Sequence, residues 1–356
     1  MNLKSILPKP LKRFIILQRA RGQLLSLWFF SRTRFLSSLY YCFFSRQFAR
    51  EHQAVLNGRL AFAREQGMGQ NSSTLLRRNI HRIEKGLIMQ PRKALFALGY
   101  INATIGAFEQ AAANKSHDQH ELKWAGDVLS EYFNSVELDK LDAQLKIRFD
   151  GARQGSPDLP KTDQQSVPYT FASKIQAPVS SEAFLALCTQ RRSVRWFESK
   201  AVSRELLEQA VNMAALAPSA CNRLPYQFYI ADDKAQSQRL IEIPLGTQGF
   251  AQNVPCTIVV TADLANYPTE RDRHLIYIDG ALAAMQLMLA LETLGLSSCP
   301  INWPDIERCE RKMVKALDLP ATVRPIMLMA VGYGHADGKI PFSHKKSAQQ
   351  LIHYVH

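Results

Sequence analysis

The sequence has 356 residues, 46% of them hydrophobic, and a formal charge of +13. That length exceeds one typical domain of roughly 100–200 residues and predicts two globular parts, or one with a long extension. The charge is unevenly placed: residues 1–60 hold eleven Lys/Arg against the single acid Glu51, residues 61–180 hold 15 against 13, and residues 181–356 hold 18 against 17. The basicity therefore belongs to the N-terminal sixth, and with no recognition motif beside it a nucleic-acid partner is not expected.

The six cysteines (Cys42, Cys188, Cys221, Cys256, Cys299 and Cys309) are scattered. None forms C-x-x-C or sits at zinc-ligand spacing, which suits a reducing, cytoplasmic chain. The apolar run over residues 14–17 is too short for a signal peptide. A membrane span over 22–45 is rejected because Arg32 and Arg34 lie near its middle, each costing about 2.5–3.5 kcal/mol.

The first feature in chain order is LLSLWFFSRTRFLSSLYYCFFSRQF, residues 24–48, where nine Trp, Phe and Tyr residues are mixed with evenly spaced arginines and no acid. This suits a helix in the headgroup region of an anionic membrane, which predicts peripheral association through residues 10–50 on the inner face. The competing reading is that the aromatics cover the rest of the protein, with arginines at the rim. Residues 71–160 read as helices. NSSTLLRRNIHRIEKGL offers caps at 71–73, apolar positions at Leu76, Ile80, Ile83 and Leu87, and Gly86 as a stop. His81 and Glu84 share a helix face, but with no second such pair they predict a surface hydrogen bond, not a metal site. The Pro-, Ser- and Gln-rich stretch that follows is a linker. The predicted organisation is 1–60 basic segment, 61–160 helical region, 161–178 linker and 179–356 catalytic-type domain.

Helices and strands alternate beyond residue 178. Residues 181–190 form a short helix that exits through RRSVR, residues 191–195. Ser203 caps a helix striped by Leu206, Leu207, Ala210, Val211 and Ala214. Residues 226–231, 257–262 and 326–331 are strands. Residues 279–294 form a helix with almost no polar face, buried within the domain or by another subunit, and 305–317 are amphipathic. Helix-rich order with few strands predicts an α+β domain.

No G-x-S-x-G, H-E-x-x-H, P-loop or strand-linked G-x-G-x-x-G is present, so an organic cofactor is the expected carrier of any chemistry. RRSVR offers guanidinium forks and a hydroxyl for a phosphate, against the plainer reading of a solvated helix end. APSACNRLPYQFY is a rigid polar loop whose amide both donates and accepts. GLSSCPI is a second Gly/Pro loop.

The ordered set RRSVRWF, APSACNRLPYQFYI, AQNVPCTIVV, DGALAAMQLMLALETLGLSSCPI and IMLMAVGY resembles the nitroreductase family of FMN-dependent oxidoreductases over residues 181–356. The resemblance implies a nitroreductase-like α+β fold, with a central mixed sheet flanked by helices, a homodimer, and FMN at the subunit interface. It places Arg191, Arg192, Ser193 and Arg195 on the FMN phosphate and ribityl chain. Pro218, Ser219 and Asn222 fall beside the flavin ring, and Pro300 and Ile301 in the loop over its other side. Lys345, in SHKKS, is implied as a further phosphate contact. The family's N-x-Q-P reads Asn222, Arg223, Leu224, Pro225 here. Leucine cannot donate, and loss of one neutral contact weakens FMN binding by about 0.5–1.5 kcal/mol. Cys221 and Cys299 are expected to be packing residues. The implied reaction carries hydride from NAD(P)H through the flavin to a small nitro, quinone or enone acceptor, with no acid–base residue marked by the sequence. LRRNIHRIEKGL is similar to an extension of family members linked to cell-surface polysaccharide synthesis. Two alternatives stand beside this: a specialised flavin enzyme of the same fold that is not a reductase, and a non-catalytic membrane-surface assembly protein with a decayed flavin site.

Overall fold

The computed structural model describes residues 9–68, 72–156 and 165–355. The chain divides into two compact units, Met1–Ala54 and Val55–His356. In the first, α1 (Lys9–Phe30) is followed by a break at Ser31–Arg32, and Thr33 starts α2 (Arg34–Leu39) by accepting the Leu36 amide at 3.1 Å. A π-helical turn, Tyr40–Phe44, continues α2, and α3 (Ala49–Met68) begins after it. The aromatic stretch is thus two helical pieces, not the single helix expected. The Phe30 ring packs on Phe44 and Tyr40 at centroid distances of 5.2 and 5.4 Å, and Ser37 Oγ donates to the Phe30 carbonyl. Leu24, Trp28, Phe35, Phe43 and Phe44 remain 58–74% exposed.

The second unit contains a helical layer built from α4 (Ser72–Leu87), α5 (Ile101–Ala113), α6 (Gln119–Ser135) and α7 (Ala143–Gln154). Its core joins Leu76, Ile80 and Ile83 to Ile105, Phe108, Leu129, Tyr132 and Phe149, so the 3.6-residue apolar spacing of α4 faces inward as expected. Gly86 does not end α4, which runs to Leu87. A Cβ there would lie 2.2 Å from the Phe96 ring, so this glycine provides close packing rather than a stop. Of the expected cap positions, Asn71 lies outside the described residues, as do residues 161–164 of the expected linker.

The rest of the unit is α8 (Ser181–Gln190), α9 (Arg204–Ala214), β1 (Tyr226–Ala231), α10 (Lys234–Ile241), β2 (Cys256–Asp263), α11 (Leu275–Thr293), β3 (Ser297–Asn302), α12 (Glu307–Leu317), β4 (Val323–Gly332) and α13 (Ala348–Leu351). The four strands form one antiparallel sheet in the order β1-β2-β4-β3. The parallel part of the expected mixed sheet is the single bridge between Ser193 and Ser298. Side-chain alternation divides the core. Ile258, Val260, Met329 and Val331 face α9 and α11, whereas Val259, Leu328 and Ala330 face α10 and α12. β2 and β4 are therefore covered on both faces.

Two expectations change here. Residues 297–302 were expected as a loop and form the edge strand β3, where Pro300 is tolerated because an edge strand can spare one N–H. α11 is apolar nearly all round for two reasons. One face, with Ala283, Leu287 and Leu291, packs on the sheet, while Ile278, Leu282 and Met285 are 42–52% exposed on the other. By length and composition this helix could cross a membrane, but half of it is buried inside the domain.

Candidate functional site

The segment Arg191–Phe197 leaves α8 and runs along the free edge of the sheet. The Val194 amide donates to the Ser298 carbonyl at 3.1 Å, the Glu198 amide to Tyr333 at 2.8 Å, and the His335 amide to Trp196 at 2.9 Å. Asn253 clamps the middle, accepting the Phe197 amide at 2.8 Å and donating to the Arg195 carbonyl. Gly332 permits this approach, because a Cβ there would meet Pro255 and Phe197 at 2.7 and 2.9 Å. RRSVR is therefore a pinned strand-like segment, and the solvated helix end does not describe it.

Arg191, Arg192 and Arg195 are half-buried and make no ion pair among the described residues. Arg195 lies 5.8 Å from the Phe250 ring and donates weakly to the Ser193 carbonyl at 3.4 Å. Beside Ser193 sits Ser298, whose buried hydroxyl has no hydrogen-bond partner. Three guanidinium groups without a carboxylate, flanked by hydroxyls, fit a phosphate followed by a polyol chain. Cys299 lies within the field of Arg195 and Arg191, but burial outweighs them and pushes its thiol pKa up. It packs in the core at 1% exposure, as an inert thiol does.

The second stretch, Pro218–Leu224, holds three non-glycine residues in the left-handed region: Cys221, Asn222 and Leu224, with φ of 55°, 52° and 49°. Such strain, of order 1–3 kcal/mol per residue, persists only where the surroundings enforce it. Here the Ala220 amide donates to Asp279 Oδ2 at 3.0 Å, the Leu224 amide to Ser219 Oγ at 3.0 Å, and Arg77 Nε to the Asn222 carbonyl at 3.0 Å. Asp279 is buried, which raises its pKa against the opposing Ala220 hydrogen bond, the Tyr267 hydroxyl and the nearby Arg223. The Ala220, Asn222 and Leu224 amides and the Asn222 carbonyl are engaged within the protein, and the half-buried Asn222 side-chain amide remains to meet a ligand.

These groups do not converge within one chain. The loop feeds β1 at one edge of the sheet, while Arg191–Arg195 lie on β3 at the other, separated by roughly 14 Å of strand spacing. Tyr226 also pairs at the Ala262 end of β2, opposite the end of β4 near Ser298. Pro300 and Ile301 lie on β3, not in the loop expected, and the Ile301 side chain turns into the core at 8% exposure, so it can present only backbone there. Lys345 lies in an exposed irregular segment, and no hydrogen bond or ion pair among the described residues ties it to Arg191–Arg195. His81 and Glu84 hydrogen-bond at 3.2 Å, as expected, and no metal-ligating group of three is found among the described residues.

Sequence reasoning missed Arg77, Arg223, Tyr267, Asp279 and Ser298. Asp279, an acid in an otherwise apolar helix, was a readable signal. The positions of the others depend on tertiary packing.

The sequence profile of the nitroreductase family matches residues 188–246 and 234–333. The chain is similar to the iodotyrosine deiodinase of Danio rerio, 22% identical over 291 residues that cover 72% of this chain and 93% of that protein. It is also similar to a protein of Archaeoglobus fulgidus provisionally named NADH dehydrogenase/NAD(P)H nitroreductase, 27% identical over 154 residues covering 43% and 86% of the two chains. Among solved structures it aligns with an FMN-dependent nitroreductase from Clostridium difficile R20291, 23% identical with a TM-score of 0.42, covering 48% of this chain and 99% of that one.

Replacing Asp279 by Ala removes the acceptor for both the Ala220 amide and the Tyr267 hydroxyl. A loss of about 1–3 kcal/mol is expected in urea unfolding with an unchanged m-value, and Asp279→Asn, which keeps an acceptor, should lose less.

Proposed function

We propose, from the premise that the C-terminal half of this chain is a nitroreductase-family domain, that it is an FMN-dependent oxidoreductase working as a homodimer. The observation that carries this reading is the unpaired trio Arg191, Arg192 and Arg195, pinned on the edge of β3 with Ser193. These residues hold the FMN phosphate and ribityl chain. Asn222, presented by the strained loop, hydrogen-bonds the ring edge, and Pro300 borders its other side. When bound, FMN supplies the two-electron chemistry that links NAD(P)H to an organic acceptor. The chain's own part is to position the reactants and to stabilise negative charge with arginine and amide donors.

The same geometry supports the proposed dimer. Arg191–Arg195 and the Asn222 loop occupy opposite edges of one sheet, so one cofactor touching both takes the loop from a second subunit. The exposed stripe Ile278, Leu282 and Met285 gives that subunit an apolar surface to cover.

A second reading is favoured by the length of the deiodinase match: 291 aligned residues extend beyond the family profile into the helical region. In this reading the acceptor is a halogenated aromatic compound. Replacing C–I by C–H consumes one hydride equivalent from NAD(P)H and releases iodide, so the same site serves both reactions. The basic aromatic unit is proposed to rest on an anionic membrane surface, supported by exposed Trp28, Phe35, Phe43 and Phe44 among arginines.

Titration of the full-length protein with FMN should show saturable binding that weakens at least about tenfold in Arg191→Gln and Arg195→Gln, since each removes a charge-assisted contact. Anaerobic NADH or NADPH should bleach the bound flavin. Screening nitroaromatic, quinone and iodotyrosine acceptors then separates the two readings, with iodide release marking the second. No bleaching with either nucleotide contradicts both. Co-sedimentation with phosphatidylserine vesicles should fall in Trp28→Ala and Arg32→Glu proteins and at high salt; equal binding by all of them counts against the membrane contact.

A further inference from the structure

The helical layer meets the strained loop through α4. Arg77 fixes the junction: it donates to the Asn222 carbonyl, and its charge is balanced by Glu121 at 2.9 Å. Three other arginines beside it are not balanced in this way. Arg223, the next loop residue, is only 6% exposed, and its Nε is buried with no hydrogen-bond partner. Its guanidinium lies 4.9 Å from the Tyr267 ring. Arg78 makes no ion pair among the described residues, and Arg82, one turn further along the same face of α4, meets only the Asn79 amide at 3.3 Å and the Tyr100 ring at 3.6 Å. Burial, then the like charges of Arg223 and Arg82, lower the pKa of Arg78. Two carboxylates lie near them without pairing: Asp279, which accepts from Ala220 and Tyr267 and feels the Arg223 charge, and Asp272, which pairs with Arg271 and partly offsets the charges around Arg78.

Leaving a guanidinium nitrogen buried and unpaired beside two more cations is costly, and a protein recovers that cost when an anion binds. Arg324 in the same domain is equally buried and also has guanidinium nitrogens without a hydrogen-bond partner, but its charge is balanced by Glu310 at 2.7 Å. We propose that Arg78, Arg82 and Arg223 form a subsite for an oxyanion, a carboxylate or phosphate carried by the organic acceptor, on the α4 side of the Asn222 loop. The assignment to the acceptor rests on the flavin reading above, because that reading puts the reacting ring against this loop. The planar forks of Arg78 and Arg82 engage the oxyanion, and the neighbouring charge of Arg223 adds to the attraction. Acceptors bearing an acidic group are then preferred over neutral ones of the same redox type.

The test is calorimetric titration of the full-length protein with inorganic phosphate and, separately, with benzoate. Both are run with and without saturating FMN, on the wild type and on Arg78→Gln, Arg78→Lys, Arg82→Gln and Arg191→Gln. One anion-binding event should survive both FMN and Arg191→Gln. It should weaken about tenfold or more in Arg78→Gln and Arg82→Gln, with partial recovery in Arg78→Lys. A stronger response to phosphate or to benzoate identifies the group the acceptor carries. The same affinity in Arg78→Gln and Arg82→Gln as in the wild type overturns the proposal, as does loss of all anion binding in Arg191→Gln. Absence of FMN binding, with the Arg78-dependent event intact, overturns the flavin reading and leaves the anion site standing.

Discussion

The coverage of β2 and β4 on both faces is the constraint from which the rest of the domain follows. With α9 and α11 on one side and α10 and α12 on the other, no polar group can be presented from the middle of the sheet. Ligand-facing groups are confined to the edges and to the loops that feed them. Arg191–Arg195 lie along the β3 edge, and the Asn222 loop leads into the β1 edge. A four-stranded sheet sets these two edges too far apart for one face of one chain to bring them together. The same packing leaves the outer stripe of α11, with Ile278, Leu282 and Met285, exposed, and the proposed homodimer would cover it.

Electrostatics sort the arginines into two kinds. Arg77 and Arg324 sit against Glu121 and Glu310 and serve the architecture. Arg191, Arg192, Arg195, Arg78 and Arg82 make no ion pair among the described residues, and Arg223 holds a buried nitrogen without a hydrogen-bond partner. Uncompensated cations next to strained or pinned backbone raise the energy of the free protein and make anion binding favourable in return. The left-handed residues of the Asn222 loop belong to the same design. Their strain is held by Asp279, Ser219 and Arg77, so the loop's shape is fixed before any ligand arrives.

Much of this was legible in the sequence, and the exceptions have physical causes. Strand β1 matched its expected bounds, β2 lay within one residue and β4 within three, because apolar β-branched runs bounded by breakers have few other uses. The inward face of α4 followed from Leu76, Ile80 and Ile83. Gly86 misled because a glycine is needed both at helix ends and under a packed ring, and only tertiary structure distinguishes the two. β3 was hidden by Ser297, Ser298 and Pro300, which resemble a loop, although an edge strand accepts them. Arg191, Arg192 and Arg195 were readable as a charge cluster in an otherwise balanced domain. Arg223 was not, because nothing local marks an arginine for burial.

The central claim is that the pinned arginine edge and the strained loop together hold a flavin, and the visible absorption spectrum of the purified full-length protein tests it most directly. The account predicts a yellow protein, or a colourless one that gains a bound-flavin spectrum on incubation with FMN and loses it when Arg191 and Arg195 are replaced. A protein that stays colourless and takes up no FMN would contradict it.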